Sequence, residues 1–346
     1  MTLVAPEVRE LDPLAVQLVA WMGGKMPEAR DIAVTNLSYP SGAGQSHETI
    51  LYDASWTEGV RRVEQGCVVR IKPTWHTVYP DDLFDEQRRV MELMHASGKV
   101  RVARIFWSED DPSILGAPFF VMEKMRGRVA VSVPPYRGSG WVADATPAQR
   151  AKMWENGIRQ LAAIQTVPLD GFDFLEGPAQ ARSGLAQEWD KFVRFADWVS
   201  QDKPWPVLQQ ALQRLRDRWP KNQPPGLVWG DARIGNMMFD DNFDVVAVMD
   251  WEQPSLGGAL HDLAWWITLG ETMHGATADK PHLEGAWTRE DTIALWREIT
   301  GGPTDDIEWY EDFTRLKIAC LGIRTASLKG WPEPTEADMA KRLRLT

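Results

Sequence analysis

The sequence predicts an α+β fold with two lobes, the first rich in strands and the second rich in helices. Short β-branched and aromatic runs fill the first third of the chain, whereas helical periodicity dominates after about residue 126. The length of 346 residues agrees, because it suggests about two domains of roughly 150 residues each. We therefore expect lobes at 1–125 and 126–346, enclosing a cleft of the kind that often binds a ligand.

Three segments predict the strands of the first lobe. "AVTNLSYPSGAGQSHETILYDA" has short apolar pieces on both sides of a turn rich in Gly and Ser. "GCVVRIKPT" is a β-branched run closed by Pro73, and "APFFVMEKMRG" is an apolar run that ends at charged residues near 123–126.

A helix is predicted from about Asp81 to Ala96. Leu83, Glu86, Val90 and Leu93 lie at i, i+3, i+7 and i+10, so Glu86 shares the apolar face. A carboxylate that faces a core needs a cationic partner or a hydrogen-bond network. The alternative is that Glu86 lies at the edge of this face and reaches water.

The second lobe is predicted to be mainly helical. Thr146 is a suitable N-cap and Pro147 suits a first helical turn. Segments 180–219 and 286–329 also have helical patterns, interrupted by "PWP", "GGP" and "WPEP".

The composition excludes several classes of protein. A net charge of -11 argues against nucleic acid as a partner, because binding nucleic acid requires Lys and Arg against the phosphates. Cys67 and Cys320 have no metal-binding spacing and indicate no disulfide framework. The first residues lack signal-peptide character, and no apolar stretch approaches the ~20 residues that span a bilayer. We expect a cytoplasmic protein with no membrane partner.

The segment "GLVWGDARIGNMMF" (226–239) carries the main chemical signal. Asp231 and Asn236 stand five residues apart between two apolar runs, and "VVAVMDWE" follows after the polar turn "DDNFD". This pattern predicts a β-hairpin. A reversal centred on Phe243 would set Asn236 opposite Asp250, near Asp231. Three oxygen-bearing side chains would then converge, and oxygen ligands suit Mg²⁺.

Such a convergence serves phosphoryl transfer. One carboxylate accepts the proton of the attacking hydroxyl, while an Asn and a second Asp hold the metal that bridges the nucleotide phosphates. Asp231 and Asn236 have the offset of base and Asn in H-R-D-x-x-x-x-N, and Asp250 corresponds to the Asp of D-F-G. The alternative for this segment alone is a loop between two strands.

The first lobe offers the other parts of a kinase-like site. "SGAGQSHET" supplies Ser41, Gly42, Gly44 and Ser46, whose backbone can approach a phosphate closely. "VVRIK" supplies two cations, Arg70 and Lys72, on one face of a strand, and Glu86 is a natural partner for either. We favour Arg70, although alternation alone leaves both open.

With these parts in chain order, the sequence resembles the aminoglycoside phosphotransferase superfamily, small-molecule kinases with a bilobal protein-kinase-like fold. "GAGQSHET" is similar to the G-x-S-N-x-T loop of that family, and "WGDARIGNMMF", "VVAVMDWE" and "GGALHDLAWW" resemble its H-G-D-x-x-x-x-N, D-W-E and G-x-x-x-x-D-L-A segments. The residues of these motifs, including "GDARIGN" and "DWE", are most similar to those of one branch of the superfamily. This branch consists of kinase-like domains that accompany acyl-CoA dehydrogenases and phosphorylate hydroxyacyl-CoA substrates.

The resemblance implies a nucleotide-binding lobe at 1–125 and a catalytic, substrate-binding lobe at 126–346. By position it implies Asp231 as the catalytic base, Asn236 and Asp250 as Mg²⁺ ligands, and Asp262 as a structural anchor. It further implies a phosphate-binding loop formed by Ser41, Gly42, Gly44 and Ser46. It implies that Arg70, paired with Glu86, positions the nucleotide phosphates. The purine is implied to contact the backbone from Glu123 to Met125.

Three residues depart from the family pattern. Trp229 replaces the usual His before Gly-Asp, His47 replaces the loop Asn, and Arg70 stands where many relatives carry Lys. Arg and Lys bind phosphate with different geometry, so the nucleotide contacts are expected to differ.

The function predicted from these features is phosphorylation of a hydroxyl on a small molecule, with ATP or GTP as donor and Mg²⁺ as cofactor. A hydroxyacyl-CoA and an aminoglycoside-like compound are both candidate acceptors. The acceptor is expected to bind among the helices at 170–220 and 255–290, whose tryptophans hint at an apolar portion (Trp189, Trp198, Trp205, Trp265, Trp266), although a core role is the expectation for most tryptophans. The alternative function is that of a catalytically silent, kinase-like nucleotide-binding protein.

Overall fold

The computed structural model describes residues 9–40, 47–74, 77–131, 135–177, 184–275 and 281–346. The chain divides into two compact units, Met1–Val78 with Ala103–Arg126 and Tyr79–Val102 with Gly127–Thr346. The segment Tyr79–Val102 thus belongs to the second unit, although it lies within the first predicted lobe. The assignment of separate functions to 1–125 and 126–346 stays a prediction.

The first unit is built on an antiparallel sheet of five strands in the order β1-β2-β3-β5-β4. Alternate residues of the second strand are buried, as expected for a sheet with one face against a core. Its elements are α1 (Leu11–Lys25), β1 (Arg30–Ser38), β2 (Glu48–Glu58), β3 (Arg61–Ile71), β4 (Ile105–Glu109), α3 (Pro112–Leu115) and β5 (Phe119–Glu123). The buried side of α1 packs in the same hydrophobic core as this sheet.

The second unit is mainly helical and contains a small three-stranded sheet in the order β6-β7-β8. Thr146 caps α5 in a capping box with Gln149, as its sequence predicts. The helical segments are also interrupted where "PWP" and "GGP" predict it. The elements are α2 (Phe84–Ser97), β6 (Arg128–Val129), α4 (Trp141–Asp144), α5 (Pro147–Ile164), α6 (Leu185–Val199), α7 (Pro206–Asp217), β7 (Met237–Phe239), β8 (Val245–Val248), α8 (Leu260–Met273), α9 (Arg289–Thr300), α10 (Ile307–Lys329) and α11 (Glu336–Arg342).

Helix α2 exists as predicted, but its inward face differs from the prediction. The buried residues include Gln87, Val90 and Met94, whereas Glu86 is half-buried at the edge. Two stripes offset by one residue fit a period of 3.6 almost equally well, so the sequence could not choose between them. The prediction that Glu86 shares the buried face is therefore wrong, and the alternative that it lies at the edge is the one found.

The predicted hairpin is present as β7 and β8, but its register was predicted one residue off. Met237 pairs with Val248, and the N–H of Met249 donates to the carbonyl of Asn236 at 2.9 Å, so Asn236 lies opposite Met249 rather than Asp250. The turn closes earlier than predicted because the Asp240 carboxylate accepts two backbone N–H groups within it. A bulge between Met238 and Phe239 then shifts the pairing.

Two further expectations concern the chain as a whole. Cys67 and Cys320 are both buried and free, in agreement with the absence of a disulfide framework. Within the described ranges, no helix combines the length and the apolar character needed to cross a membrane.

Candidate active site

The side chain of Asp231 is held by three hydrogen-bond donors. The amide nitrogen of Asn236 donates to its Oδ2 at 2.7 Å, and Arg233 Nε donates to the same oxygen at 3.0 Å. The indole Nε1 of Trp265 donates to Oδ1 at 2.9 Å. Hydrogen bonds to an ionised carboxylate are short and strong, so this side chain has a defined orientation.

The backbone before Asp231 is held by Asp262, in the first turn of α8. Its two carboxylate oxygens accept the N–H groups of Trp229 at 2.7 Å and of Gly230 at 2.9 Å. Gly230 has a φ of +104°, and a Cβ there would lie 2.6 Å from the carbonyl oxygen of Gln253, so only glycine fits. The expectation that Asp262 is a structural anchor is confirmed.

Asn236 lies at the end of a short 3₁₀ turn that leads into β7, and it is buried. Its amide nitrogen donates to both the carbonyl and the carboxylate of Asp231. Both partners are acceptors, so the atom that faces them is the nitrogen. The carbonyl oxygen of the Asn236 side chain therefore points away from Asp231, as a metal ligand would have to.

Asp250 follows β8 and has a left-handed backbone, with a φ of +61°. The indole Nε1 of Trp229 donates to the carbonyl oxygens of Met249 at 2.8 Å and of Asp250 at 3.2 Å. Trp229 thus ties the segment that carries Asp250 to the segment that carries Asp231. The residue that departs from the family's His supplies an N–H donor at this position.

Two neighbouring groups respond to the charges of Asp231 and Asp250 together. Although burial disfavours its charged form, these two carboxylates raise the pKa of Arg233 above its ordinary value. Burial raises the pKa of the Tyr79 phenol well above its ordinary value, and the carboxylates of Glu252, Asp231 and Asp250 raise it further. Both acids therefore act on the same two side chains, and the phenol of Tyr79 is protonated at neutral pH.

The donor set fits a hard divalent cation. In the described part of the chain, no group of three or more His, Cys, Asp or Glu is arranged to hold a metal ion. The predicted ligands are one amide and one carboxylate, Asn236 and Asp250. This small set suits Mg²⁺, which keeps several waters and is usually held by one or two protein groups together with substrate phosphates.

Sequence reasoning missed Arg233 and Tyr79 near Asp231, and it named Trp265 only among the tryptophans expected near an acceptor. Arg233 carried a local signal, because it is a cation two residues after a proposed base in "GDARIGN". Trp265 and Tyr79 are distant in sequence from Asp231, and neither pattern nor spacing connects them to it. Only the folded chain identifies them.

On the first unit, the predicted cation Arg70 is the second-last residue of β3. It pairs with Thr49 on β2 and with Phe120 on β5, and its guanidinium lies 3.1 Å from the His47 ring nitrogen Nδ1. Two of the departures from the family pattern thus contact each other. The loop residues Ser41, Gly42, Gly44 and Ser46 lie outside the described residues.

Glu123 is the last residue of β5, Met125 follows two residues later, and both are half-buried. The N–H of Glu123 donates to the carbonyl of Arg104 at 2.9 Å. Within the described ranges, the N–H of Met125 makes no backbone hydrogen bond. Among the described residues at this strand end, the N–H of Met125 is therefore the backbone donor available to a ligand.

The tryptophans predicted near an acceptor site are mostly core residues. Trp189, Trp205, Trp265 and Trp266 are buried, and Trp198 is half-buried. The core role expected for most tryptophans therefore describes these four.

Comparison with known proteins places these features in a family context. The sequence profile of the phosphotransferase enzyme family (APH) matches residues 56–299, more than half of the chain. Two curated relatives are acyl-CoA dehydrogenase family member 10 of Mus musculus, 27% identical over 82% of this chain and 27% of that protein, and acyl-CoA dehydrogenase family member 11 of Homo sapiens, 26% identical over 75% and 34%. The chain thus spans about a third or less of the length of these relatives.

Solved structures share the fold. A Ralstonia eutropha protein assigned as an aminoglycoside phosphotransferase has a TM-score of 0.66 at 24% identity, covering 95% of this chain and 94% of that chain. A thermostable mutant of aminoglycoside phosphotransferase APH(4)-Ia, in complex with ADP and hygromycin B, has a TM-score of 0.55 at 14% identity, covering 95% and 98%. The amicoumacin kinase hAmiN, in complex with AMP-PNP, Ca²⁺ and Ami, gives 0.55 at 14%, covering 97% and 95%. The predicted bilobal, kinase-like α+β fold is confirmed.

Proposed function

This chain belongs to the phosphotransferase enzyme family, and we propose that it transfers a phosphoryl group from a nucleoside triphosphate, ATP or GTP, to a hydroxyl of a small molecule. The observation that carries the proposal is the Asp231 carboxylate, oriented by three donors and hydrogen-bonded to Asn236. That arrangement is what a phosphotransferase needs from the residue that orients and deprotonates the attacking hydroxyl.

Asp231 acts as the base in the transfer step. Its carboxylate takes the proton of the acceptor hydroxyl as the acceptor oxygen bonds to the terminal phosphorus. The bond from that phosphorus to the bridging oxygen breaks, and its electron pair leaves with the nucleoside diphosphate. Arg233, which is ion-paired with Asp231, lies where its positive charge can offset negative charge that develops on the transferred group.

Asn236 and Asp250 would hold the divalent cation. A bound Mg²⁺ supplies charge neutralisation across the nucleotide phosphates during transfer. The amide nitrogen of Asn236 is committed to Asp231, which presents the side-chain oxygen for the metal. Trp229 supports the other ligand by holding the carbonyl of Asp250.

The nucleotide is proposed to bind residues of the first unit. Arg70 contacts the phosphates, with Ser41, Gly42, Gly44 and Ser46 as the phosphate loop. Lys72 is the alternative cation. The N–H of Met125 and the carbonyl of Glu123 contact the purine, which agrees with the backbone donor of Met125 being available.

Among acceptors, we favour a hydroxyacyl-CoA over an aminoglycoside-like compound. The curated relatives are named as acyl-CoA dehydrogenase family members at 26–27% identity. The antibiotic-bound structures are similar at only 14% identity, which reflects a shared fold alone. Hydroxyl acceptors of both kinds belong in the test.

The test measures ADP release from MgATP with a panel of hydroxylated acyl-CoAs, aminoglycosides, macrolides and amino alcohols. We expect at least one acceptor to be phosphorylated, and Asp231→Asn to lower kcat by about 10²- to 10⁴-fold, the usual contribution of a general base. Asp241→Asn is the matched control, because the Asp241 carboxylate is 97% exposed in the hairpin turn.

A thermal-shift titration with MgATP separates catalysis from binding, because a ligand of the folded state raises Tm. Both the wild type and Asp231→Asn should shift. A shift without transfer to any acceptor would favour the silent nucleotide-binding protein, and Asp231→Asn turning over at the wild-type rate would show that another group is the base.

A further inference from the structure

One face of α8 holds three consecutive residues, Trp229, Gly230 and Asp231, which we call the catalytic segment. Asp262 and Trp265 are three residues apart on this helix and so lie on the same side of it. Asp262 accepts the N–H groups of Trp229 and Gly230, and Trp265 donates to the side chain of Asp231. The helix therefore sets both the backbone and the carboxylate orientation of the proposed base.

The indole of Trp265 is buried and makes one polar contact with the residues that the structure describes. The residue is 5% exposed, so it presents almost no surface to a ligand. Its Nε1 donates to Asp231 Oδ1 at 2.9 Å across a separation of 34 residues. A buried tryptophan needs a partner for this N–H, and here the partner is the proposed base itself.

The two oxygens of Asp231 are not equivalent. Oδ2 accepts one hydrogen bond from Asn236 and one from Arg233, so both lone pairs of this oxygen are used. Oδ1 accepts from Trp265 within the described part of the chain and keeps a second lone pair. A hydroxyl proton has to be accepted by the oxygen with capacity left, and that oxygen is Oδ1.

We propose that Trp265 is a positioning residue, whose indole N–H orients Oδ1 of Asp231 so that the remaining lone pair of this oxygen accepts the proton of the acceptor hydroxyl. This inference rests on the proposed function, since it assigns a role relative to Asp231 as base. The proton moves from the acceptor oxygen to Oδ1, while the indole keeps its own proton throughout. The acceptor oxygen forms the bond to phosphorus as described above.

The test compares Trp265→Phe with Trp154→Phe. Both substitutions remove an indole from a buried site, but the N–H of Trp154 has no hydrogen-bond partner in the described structure. For Trp265→Phe we expect kcat to fall about 10- to 100-fold, less than the loss of the base itself, with KM for MgATP within about twofold of the wild type. Trp154→Phe should leave kcat within about twofold.

The double variant Trp265→Phe/Asp231→Asn shows whether Trp265 acts through Asp231. If it does, adding Trp265→Phe should not slow Asp231→Asn further, because residues that act as a unit are not additive. ADP release is measured with the fastest acceptor of the panel and with MgATP alone, where water is the acceptor. A further loss equal to that of the single variant would overturn the proposal.

An NMR measurement tests the contact without relying on turnover. In ¹H–¹⁵N spectra, the indole signal that is lost in Trp265→Phe belongs to Trp265, and the indole signal that is lost in Trp154→Phe belongs to Trp154. Asp231→Asn should shift the first and leave the second in place. If the Trp265 resonance does not move, the hydrogen bond is absent and the proposal is wrong.

These outcomes separate the inference from the function on which it rests. An Asp231→Asn protein with wild-type turnover would contradict the assignment of the base, and with it the role of Trp265. If Asp231→Asn is inactive while Trp265→Phe and Trp154→Phe behave alike, the base is correct and only the positioning role of Trp265 is wrong.

Discussion

The catalytic segment of the second unit and the end of β3 in the first unit are built in different ways. Asp231 is oriented by Asn236, Arg233 and Trp265, and α8 also holds the backbone before it. Arg70, at the end of β3, is placed by strand pairing, and its guanidinium contacts His47. We therefore expect changes around Asp231 to act on kcat, and changes at the end of β3 to act on nucleotide affinity.

The largest loss of stability is expected from Asp262→Asn, which removes one of the acceptors that hold the backbone at Trp229 and Gly230. An amide offers one acceptor oxygen, and its NH₂ group would face a backbone N–H that Asp262 now satisfies. Leaving a buried N–H without an acceptor costs about 1–3 kcal/mol of unfolding free energy. We expect that loss in urea unfolding, together with a fall in kcat of about tenfold or more because Asp231 is displaced.

The matched control is Asp291→Asn at the exposed N-terminus of α9, where the carboxylate bonds to the capping Thr288. It should cost no more than about 1 kcal/mol and leave kcat unchanged. Equal effects of the two substitutions would mean that α8 does not hold the catalytic segment.

The contribution of Asp262 to stability should depend on pH, because the pKa of its carboxyl is shifted. Burial raises the pKa of Asp262 to about 6, against the two backbone N–H groups and Lys317, which lower it. Since this folded pKa lies above the unfolded value of 3.8, the contribution of Asp262 to stability is complete below pH ~4 and is lost as the pH rises through ~6.

The difference in unfolding free energy between wild type and Asp262→Asn should therefore grow as the pH falls from 7 to 4. A shift of about two pKa units limits this growth to about 3 kcal/mol. A difference that is independent of pH would contradict the assigned pKa.

A smaller effect, on affinity rather than on kcat, is expected from Arg70→Lys. The planar guanidinium can contact His47 and a phosphate at once, whereas an ammonium is a compact point charge. We expect KM for MgATP to rise about tenfold, equivalent to about 1.4 kcal/mol, with kcat within about twofold.

Lys72→Gln is the comparison that decides between the two cations. It should raise KM for MgATP by less than about threefold if Arg70 is the phosphate contact. A larger rise in KM for Lys72→Gln than for Arg70→Lys would assign the phosphate contact to Lys72. A large fall in kcat for Arg70→Lys would mean that changes at the end of β3, like changes around Asp231, act on kcat.

The sequence predicted most of the elements and the relation between Asp231 and Asn236. Both residues belong to one short segment, so their hydrogen bond depends on local geometry that the spacing already implies. The hairpin was also predicted, but its register was not, because the Asp240 carboxylate closes the turn early and a bulge follows. Because "MMF" and "VVAV" are continuous apolar runs without alternation, the hydrophobic pattern does not distinguish two registers that differ by one residue.

The contacts that support the site were mostly beyond sequence reasoning. The expected role of Asp262 came from the family resemblance, and its two hydrogen bonds confirm it. Trp265 carried no signal of a polar role, since its indole meets Asp231 only when α8 packs against the catalytic segment. Trp229 was a departure from the family pattern, and only the fold reveals its bonds to the carbonyls of Met249 and Asp250.

Asn236 and Asp250 are proposed to hold a divalent cation beside Asp231. Anomalous diffraction from crystals grown with Mn²⁺ and AMP-PNP measures this directly. We predict one or two metal peaks, with the side-chain oxygen of Asn236 and the carboxylate of Asp250 at about 2.0–2.3 Å from metal. Metal bound to the nucleotide but beyond reach of both residues, or held elsewhere on the chain, would contradict the account.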